Sequence, residues 1–212
     1  MDKIKVMLVD DHAVVRMGFK MLLELDVDIQ VVAEAESGEQ GVQRYVEVKP
    51  DIVVMDLTMH GMGGMEAIER ILAKDSHAKI LVLSAHEDTV HPQRVMNAGA
   101  MGYLTKRSAP DELIRALRTI MSGRKYMEAN VAQQLAVSRH SGASNPVDVL
   151  SPREFEVFMA LAQGKTTHEI ADAMFLSVRT VGTHLYNIKQ KLNASNSAEI
   201  ALIAIRSGLL DP

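Results

Sequence analysis

Hydrophobic residues in the first 122 positions alternate between short β-branched runs and longer stretches that repeat at helical spacing. The short runs predict five strands, near residues 4–9, 30–34, 51–55, 79–84 and 101–104. The stretches between them predict helices over residues 13–25, 38–48, 64–74, 91–98 and 110–122. Three of the runs are almost wholly apolar, which is typical of strands buried on both faces. Residues 1–122 are therefore predicted to form an α/β domain with a doubly wound, five-stranded parallel sheet.

The pattern changes after Gly123. Residues 123–149 combine a short helical stretch, NVAQQLAVS, with RHSGASNPVD, whose Ser, Gly, Asn and Pro residues favour an exposed linker. From residue 150 onward the spacing is helical throughout, so residues 150–212 are predicted to form an all-α domain. Its helices are expected at Arg153–Gln163, Thr167–Met174, Val178–Leu192, and from a cap at Ser197 to Gly208. A capping box at Ser151 and Glu154 is predicted to start the first of them.

The composition is that of an ordinary globular protein, with 212 residues, 47% hydrophobic and 24% charged. The absence of cysteine excludes disulfides, zinc fingers and thiol catalysis. We find no signal peptide pattern and no apolar run long enough to cross a membrane, so we expect a cytoplasmic protein without membrane contact. Residues 147–212 carry six Lys or Arg against seven acids, so overall charge gives no indication of nucleic-acid binding.

Polar side chains follow several of the predicted strands, at the point where each strand ends. They are Asp10, Asp11, Asp56, Ser84 and Lys106. Because the carboxyl ends of parallel strands meet at one edge, these residues are expected to lie close together. Three neighbouring carboxylates repel one another and need a cation, and a hydrated Mg²⁺ suits such oxygen ligands. The Asp56 carboxylate could then attack a phosphoryl group, with Ser84 donating a hydrogen bond to the product and Lys106 offsetting its charge.

Other interpretations of these residues must be weighed. A single Asp after a strand is most often a cap or a solvated turn residue, whereas five polar residues in this order indicate a site. A magnesium-dependent phosphohydrolase would also use an Asp nucleophile, but it needs a second acid two residues later, where this chain has Thr58. Met59, Met62 and Met65 are predicted to fill the core and a loop, although a soft-metal site is the alternative. The histidines lack the spacing of a zinc site.

The predicted helix at 178–192 has two distinct faces. Val181, Leu185, Ile188 and Leu192 form an apolar stripe that must pack inward. The opposite face can enter the major groove of double-stranded DNA and reach phosphates and base edges. The predicted DNA-binding residues are Ser177, Arg179, Thr180, Gly182, Thr183, Tyr186, Lys189 and Lys191.

The near-neutral charge of this half predicts weak binding by one copy, so we expect a homodimer on paired half-sites. The last predicted helix, AEIALIAIRSGLL, is more apolar than a small core needs. Ala201 and Ile205 on this helix are the predicted dimer contact.

The patterns VDDH, VVMD, VLSA and GYLTK resemble a response-regulator receiver domain over residues 1–122. The resemblance implies that Asp56 is the phosphoacceptor and that a histidine kinase is the phosphodonor. It implies that Asp11, Asp56 and the Thr58 carbonyl hold Mg²⁺, with Asp10 supporting them from close by. It also implies a phosphate-sensing switch formed by Ser84, Tyr103 and Lys106.

The segment from LSPREFEVF to KLNA resembles a LuxR-type helix-turn-helix, covering residues 150 to about 208. The whole chain then resembles response regulators of the NarL/FixJ class, and its VAQQLA helix is similar to the GacA and UvrY branch. The resemblance implies a transcription factor, not an enzyme, whose sequence-specific DNA binding and dimerisation are controlled by phosphorylation. The alternative is a phosphorylated adaptor whose terminal helices bind a protein.

The chain departs from the family pattern at three places. The loop after Asp56 usually reads Met-Pro-Gly, and here His60 replaces the proline and its rigid φ. Gly182 and Tyr186 stand where the family often has polar or basic base-reading residues. Thr58 and His86 occupy positions that flank the phosphate, and we hypothesise that they set the lifetime of the phosphorylated state.

Overall fold

The computed structural model describes residues 3–86, 88–108, 110–140 and 145–210. The chain divides into two compact units. Residues of the ranges 1–87 and 95–133 form the first, called here the α/β unit, and those of 88–94 and 134–212 form the helical unit. Among the described residues, no helix combines the length and apolarity needed to span a bilayer.

A parallel sheet forms the centre of the α/β unit, and its described strands follow the order β2-β1-β3-β4-β5-β6. The strands are β1 Ile4–Val9, β2 Ile29–Ala35, β3 Ile52–Asp56, β4 Ile80–Ser84, β5 Gly102–Thr105 and β6 Tyr126–Met127. The register pairs Leu8 with Val54 and Asp56 with Leu83. The order places β1 between β2 and β3, so the winding direction reverses at the carboxyl ends of β1 and β3. Polar residues at these two ends therefore face a common crevice.

Strand β6 is an addition to the five predicted strands. It pairs with β5 through Gly102 with Tyr126 and Tyr103 with Met127. These residues fall in the predicted linker, because a strand of two residues is too short to show an alternating pattern. The predicted α/β class and parallel sheet are confirmed.

The helices that alternate with these strands or follow them are α1 Ala13–Glu24, α2 Gly38–Val48, α3 Gly64–Lys74, α4 Val90–Asn97, α5 Pro110–Met121 and α6 Ala129–His140. All of β3 and β4 is buried, as their apolar sequences predict. Helix α5 shows the matching amphipathic pattern, since Leu113, Ala116, Leu117 and Ile120 are buried along one stripe. The methionine prediction agrees with the packing at two positions, because Met62 and Met65 are buried.

Four further α-helices lie among the described residues of the helical unit. They are α7 Pro152–Ala162, α8 Thr167–Ala173, α9 Val178–Leu192 and α10 Ser197–Arg206. Phe158, Ile170, Val181, Ile188 and Ile200 are fully buried in its core. The predicted inward stripe of α9 therefore packs as expected, with Leu185 and Leu192 partly buried against the same cluster.

Helix starts in this unit follow the predicted caps with one exception. Ser151 and Glu154 form a capping box at α7, and the Ser177 side chain accepts a hydrogen bond from the Thr180 backbone at α9. The predicted cap at Ser197 is wrong, because the Asn196 side chain accepts the hydrogen bond from the Glu199 backbone and Ser197 is already helical.

The last residues of the predicted linker, just before residue 150, form regular structure. Residues 141–144 of the RHSGASNPVD stretch lie outside the described residues. Pro146–Val149 form a 3₁₀ turn, and Val147 is fully buried in the core of the helical unit. Exposed residues flank Val147, which is why the composition of this segment predicts a loop although one residue packs inward.

A buried acid joins two helices of this unit. Glu154 is 5% exposed, and its Oε2 accepts hydrogen bonds from the Ser151 backbone N–H at 2.9 Å and the Lys191 ammonium at 2.6 Å. Burial raises the pKa of Glu154, but the hydrogen bonds from Lys191 and Ser151 outweigh it, so the pKa lies below its usual value. The ion pair ties the start of α7 to the end of α9.

We expect Glu154→Ala to lower the free energy of unfolding of the helical unit by about 2 kcal/mol, because it removes a charged hydrogen bond and a helix cap together. Hydrogen exchange at the backbone amides of Val181 and Ile188 measures this change. The matched control is Glu169→Ala, which removes the corresponding capping box between Thr166 and Glu169 at the start of α8, where both residues are exposed. Equal losses in the two variants would show that the contact with Lys191 contributes no stability.

Candidate functional site

Lys106 connects two carboxylates at the carboxyl edge of the sheet. Its Nζ lies 2.8 Å from Asp10 Oδ2 and 2.8 Å from Asp56 Oδ2. Asp10 follows β1, Asp56 ends β3 and Lys106 follows β5, so three strands deliver these side chains to one place. Asp56 is 3% exposed and Asp10 is 5% exposed. The structure thus brings together the residues that the sequence analysis placed at strand ends.

The Asp56 carboxylate is poorly solvated. Burial raises its pKa to about 6, although the hydrogen bond and charge of Lys106 act in the opposite direction. Burial also lowers the pKa of Lys106, but hydrogen bonds to Asp10 and Asp56 outweigh it, so Lys106 has a raised pKa and stays protonated. The pocket therefore holds a fixed positive charge beside a carboxylate that is shielded from solvent.

Asp11 is held by two histidines. Its Oδ2 accepts a hydrogen bond from the His60 backbone N–H at 3.0 Å and lies 2.8 Å from His60 Nδ1. Its Oδ1 lies 2.8 Å from His12 Nδ1. Burial raises the pKa of Asp11, but the hydrogen bonds from His60 outweigh it and leave the pKa below 3.8. A proline at position 60 could not donate the backbone bond, so the departure from the family pattern adds a contact.

The loop after Asp56 turns tightly into α3. A Cβ at Gly64 would lie 2.0 Å from the Asp56 carbonyl oxygen, so only glycine fits there. The Gly64 backbone N–H donates to the Leu57 carbonyl at 2.9 Å, and the Thr58 backbone N–H donates to Asp56 Oδ1 at 3.3 Å. These contacts fix the Asp56 side chain and the backbone that follows it.

Ser84 and Tyr103 are both fully buried and both bind His86. Ser84 Oγ accepts a hydrogen bond from the His86 backbone N–H at 3.1 Å, and the Tyr103 hydroxyl donates to the His86 carbonyl at 2.8 Å. His86 Nε2 lies 3.2 Å from Thr58 Oγ1. The structure therefore links the two predicted switch residues, through His86, to Thr58, two residues after the predicted phosphoacceptor Asp56.

The pocket has the donors that a divalent cation needs. Asp10, Asp11, His12 and Asp56 each offer a ligand atom, and these atoms lie within 4.8 Å of one another. Asp11 Oδ1 is buried and has no hydrogen-bond partner, which is costly for a carboxylate oxygen. A cation would satisfy it, so these residues fit the predicted Mg²⁺.

Sequence reasoning missed Glu128, which reaches the same loop from the start of α6. Its Oε2 accepts hydrogen bonds from the Thr105 backbone N–H at 3.1 Å, Thr105 Oγ1 at 3.0 Å and Ser108 Oγ at 2.7 Å. Thr105 directly precedes Lys106. A lone acid in a predicted linker carries no signal of such a contact, since it depends on the pairing of β6 with β5.

Helix α9 carries the predicted DNA-binding residues. Ser177, Arg179, Gly182, Thr183, Tyr186 and Lys191 are exposed, and Thr180 and Lys189 are partly exposed. The Lys191 ammonium is engaged by Glu154, so this residue is less free for phosphate than the sequence suggested. A Cβ at Gly182 would meet nothing within 4 Å, so packing inside the protein does not require glycine there. On α10, the predicted dimer residues Ala201 and Ile205 are partly exposed beside Leu202, which is 49% exposed.

Comparison with known families assigns both units. The family model described as response regulator receiver domain matches residues 6–118, and the one described as bacterial regulatory proteins, luxR family, matches residues 148–204. The chain is a response regulator. It joins a receiver domain to a LuxR-type DNA-binding domain, and proteins of this kind regulate transcription under the control of phosphorylation.

Individual relatives cover the whole length of this response regulator. Response regulator GacA of Pseudomonas syringae pv. syringae is 38% identical, with 98% of each chain covered. Transcriptional regulatory protein LiaR of Bacillus subtilis is 41% identical, over 98% of this chain and 100% of LiaR. In the solved structure of the RcsB–DNA complex, the RcsB chain is 25% identical in sequence to this chain and superposes on it with a TM-score of 0.62. The match covers 95% of this chain and 98% of that RcsB chain. The predicted family and its GacA branch are confirmed.

The pKa of Asp56 predicts how pH acts on the stability of the receiver. The folded state holds the Asp56 proton up to pH about 6, whereas an unfolded Asp loses it near 3.8. The Asp56 contribution to stability is therefore greatest below pH 4 and falls as the pH rises to 6. Without metal and above pH 6, the free energy of unfolding of Asp56→Asn should exceed that of the wild type by up to about 3 kcal/mol. This difference should disappear near pH 4.

Urea unfolding followed by the NMR signals of β3 and β4 at pH 4 and pH 8 measures this gap. Asp51→Asn is the matched control, because Asp51 is a solvent-exposed aspartate beside the same strand. A gap of the same size at both pH values would contradict the burial of the Asp56 charge.

Proposed function

We propose that this response regulator is a transcription factor whose sequence-specific DNA binding is switched when a histidine kinase phosphorylates Asp56. The observation that carries the proposal is the buried Asp56 carboxylate, held 2.8 Å from the Lys106 ammonium at the switch point of the sheet. A desolvated carboxylate is a better nucleophile than a hydrated one, and the fixed lysine lowers the cost of bringing phosphoryl oxygens beside it.

The proposed metal ligands are Asp11, Asp56 and the carbonyl of Thr58, with Asp10 supporting them. When bound, Mg²⁺ would neutralise charge on the transferring phosphoryl oxygens. In the transfer, an Asp56 oxygen forms the new bond to phosphorus while the bond from phosphorus to the kinase histidine nitrogen breaks. Lys106 would hold one oxygen of the resulting acyl phosphate.

The proposed switch passes through Ser84 and Tyr103. Ser84 Oγ accepts from the His86 backbone, and its hydroxyl proton would donate to a phosphate oxygen on Asp56. If Ser84 moved toward the phosphate, its hydrogen bond would pull the His86 backbone with it. The Tyr103 hydroxyl donates to the same backbone, so this movement would also change the contact of Tyr103. A modest bias between two arrangements of this loop suffices for a switch. Thr58 and His86, in contact beside Asp56, would set the lifetime of the phosphate.

The proposed DNA surface is the exposed face of α9. Arg179, Thr180 and Lys189 would contact phosphates, while Thr183 and Tyr186 would reach base edges in the major groove. Gly182 lacks a packing role, so its small size would let the helix backbone approach the bases closely. Two copies paired through Ala201 and Ile205 of α10 would double these contacts on a two-part DNA site.

This function places the protein in the cytoplasm, where both the kinase domain and DNA are accessible. It also implies that the protein is not an enzyme in the usual sense, because phosphorylation of Asp56 changes the protein itself and no external substrate is turned over.

DNA selection followed by gel retardation of the full chain tests the proposal, with and without acetyl phosphate and Mg²⁺. We expect a motif with paired half-sites to be enriched, and its retention to rise at least about tenfold on phosphorylation, since a dimer makes twice the contacts. Asp56→Asn should bind the same motif without responding to acetyl phosphate.

Asp51→Asn is the matched control and should respond like the wild type. Absence of any enriched motif in either state would contradict DNA binding and favour the adaptor. A phosphate response that persists in Asp56→Asn would retain the transcription factor but contradict the proposed switch.

A further inference from the structure

We propose that Phe175, in the turn between α8 and α9, contacts an apolar surface of the DNA at the edge of the half-site that α9 enters. The inference rests on the proposed DNA binding of α9 and adds to that surface a side chain without charge or hydrogen-bonding groups. Duplex DNA offers two apolar surfaces to an aromatic ring at this edge, the methyl group of a thymine and the deoxyribose of the backbone.

Phe175 has a backbone conformation that side chains rarely adopt. Its φ is 52°, in the left-handed region, and it directly follows Met174, the last residue of α8. The Leu176 N–H donates to the Ala171 carbonyl at 2.8 Å, and the Phe175 N–H points back to the Asp172 carbonyl at 3.4 Å. This pair of contacts ends a helix through one left-handed residue, a position that glycine usually occupies because a Cβ is strained there.

The other three helices of the helical unit end with residues that suit this conformation. Gly164 follows α7 with φ 85°, Asn193 follows α9 with φ 53°, and Gly208 follows α10 with φ 70°. Phe175 is the exception among these four helix ends, and its side chain is 76% exposed, so it gains little from burial. The strain and the exposure of this ring are therefore not offset by packing within the unit.

The turn around Phe175 is held in place by α7. The Arg153 guanidinium donates to the Met174 carbonyl at 2.9 Å, and its other terminal nitrogen donates to Glu156 at 2.8 Å. Strained residues persist where their surroundings fix them, and they are concentrated at ligand-binding sites. A ring carried by a fixed turn also loses little conformational freedom on binding, which favours its use in recognition.

The position of the turn identifies DNA as the partner. Phe175 lies two residues before Ser177, which caps α9, and the N-terminal residues of such a helix enter the major groove. The preceding helix crosses the DNA backbone, so the turn that joins the two helices reaches the edge of the groove. Val178 is 41% exposed and Arg179 is exposed beside it. Apolar groups next to a cation match an edge where methyl groups and sugars alternate with phosphates.

Gel retardation of the full chain on the motif enriched by DNA selection tests the proposal. We expect Phe175→Asn to weaken binding by at least about fivefold, as loss of one contact in a DNA site typically does. Phe175→Tyr keeps the ring and should bind like the wild type. Val137→Asn is the matched control, because Val137 is an apolar residue of α6 that is 70% exposed.

Stability separates this loss of binding from unfolding. Asparagine tolerates the left-handed conformation and removes no buried side chain here, so the urea midpoint of Phe175→Asn should equal or exceed that of the wild type. The salt dependence of binding gives a further readout. An apolar contact releases no counterions, so Phe175→Asn should keep the wild-type slope, whereas Arg179→Ala should lower it by about one for each bound copy.

Replacing the thymines of the motif one at a time by uracil identifies the surface that is contacted, since uracil lacks only the methyl group. If one replacement weakens the wild type and leaves Phe175→Asn unaffected, the ring contacts that thymine methyl. If Phe175→Asn binds weakly but no replacement matters, the ring packs on deoxyribose, and the proposal stands in this form as well.

Wild-type affinity in Phe175→Asn would overturn the proposal and leave the ring as a contact for a protein partner. A weaker affinity with a reduced salt slope would also overturn it, because Phe175 would then act by positioning the phosphate contacts of α9. In both cases the wild type still binds its motif, so the proposed function stands. If the wild type enriches no motif, the proposed function fails together with this inference.

Discussion

The burial of negative charge around one lysine is the constraint on which the receiver depends. Asp56 and Asp10 are almost fully enclosed, and the Lys106 ammonium touches both at 2.8 Å. No single strand could supply this arrangement, so the order of the parallel sheet is what creates it. The charge is only partly balanced, as the raised pKa of Asp56 shows. A cation would lower the cost of burying these carboxylates, which is consistent with the proposed phosphorylation of Asp56.

Contacts around the pocket extend this constraint outward within the α/β unit. The His86 backbone donates a hydrogen bond to Ser84 and accepts one from Tyr103, while Glu128 accepts hydrogen bonds from Thr105, next to Lys106. These hydrogen bonds involve either a residue of the pocket, such as Ser84, or a neighbour of one, such as Thr105 beside Lys106. A change at Asp56 would therefore strain hydrogen bonds that reach β6 and the start of α6, where the predicted linker begins. The helical unit contributes the proposed DNA-binding surface, which is the exposed polar face of α9, while the opposite face of this helix packs into the hydrophobic core.

Sequence reasoning succeeded where the signal is local or strongly periodic. The apolar runs of β3 and β4 and the stripe of α5 determined the fold, and the order of Asp10, Asp56 and Lys106 determined the pocket. It failed where one contact decides the outcome. Strand β6 is too short to show a period, the cap at Asn196 competes with a neighbouring Ser197, and the imidazole contacts of Asp11 depend on backbone turns that composition does not encode.

We propose Asp56 as the residue that receives the phosphoryl group. Borohydride reduction of the full chain after incubation with acetyl phosphate and Mg²⁺ converts an aspartyl phosphate to homoserine, which peptide mass spectrometry locates. The structure predicts conversion at Asp56 alone, dependent on Mg²⁺ and greatly reduced in Lys106→Ala. Conversion at Asp10 or Asp11, or none at any aspartate while DNA binding still responds to acetyl phosphate, would contradict the account.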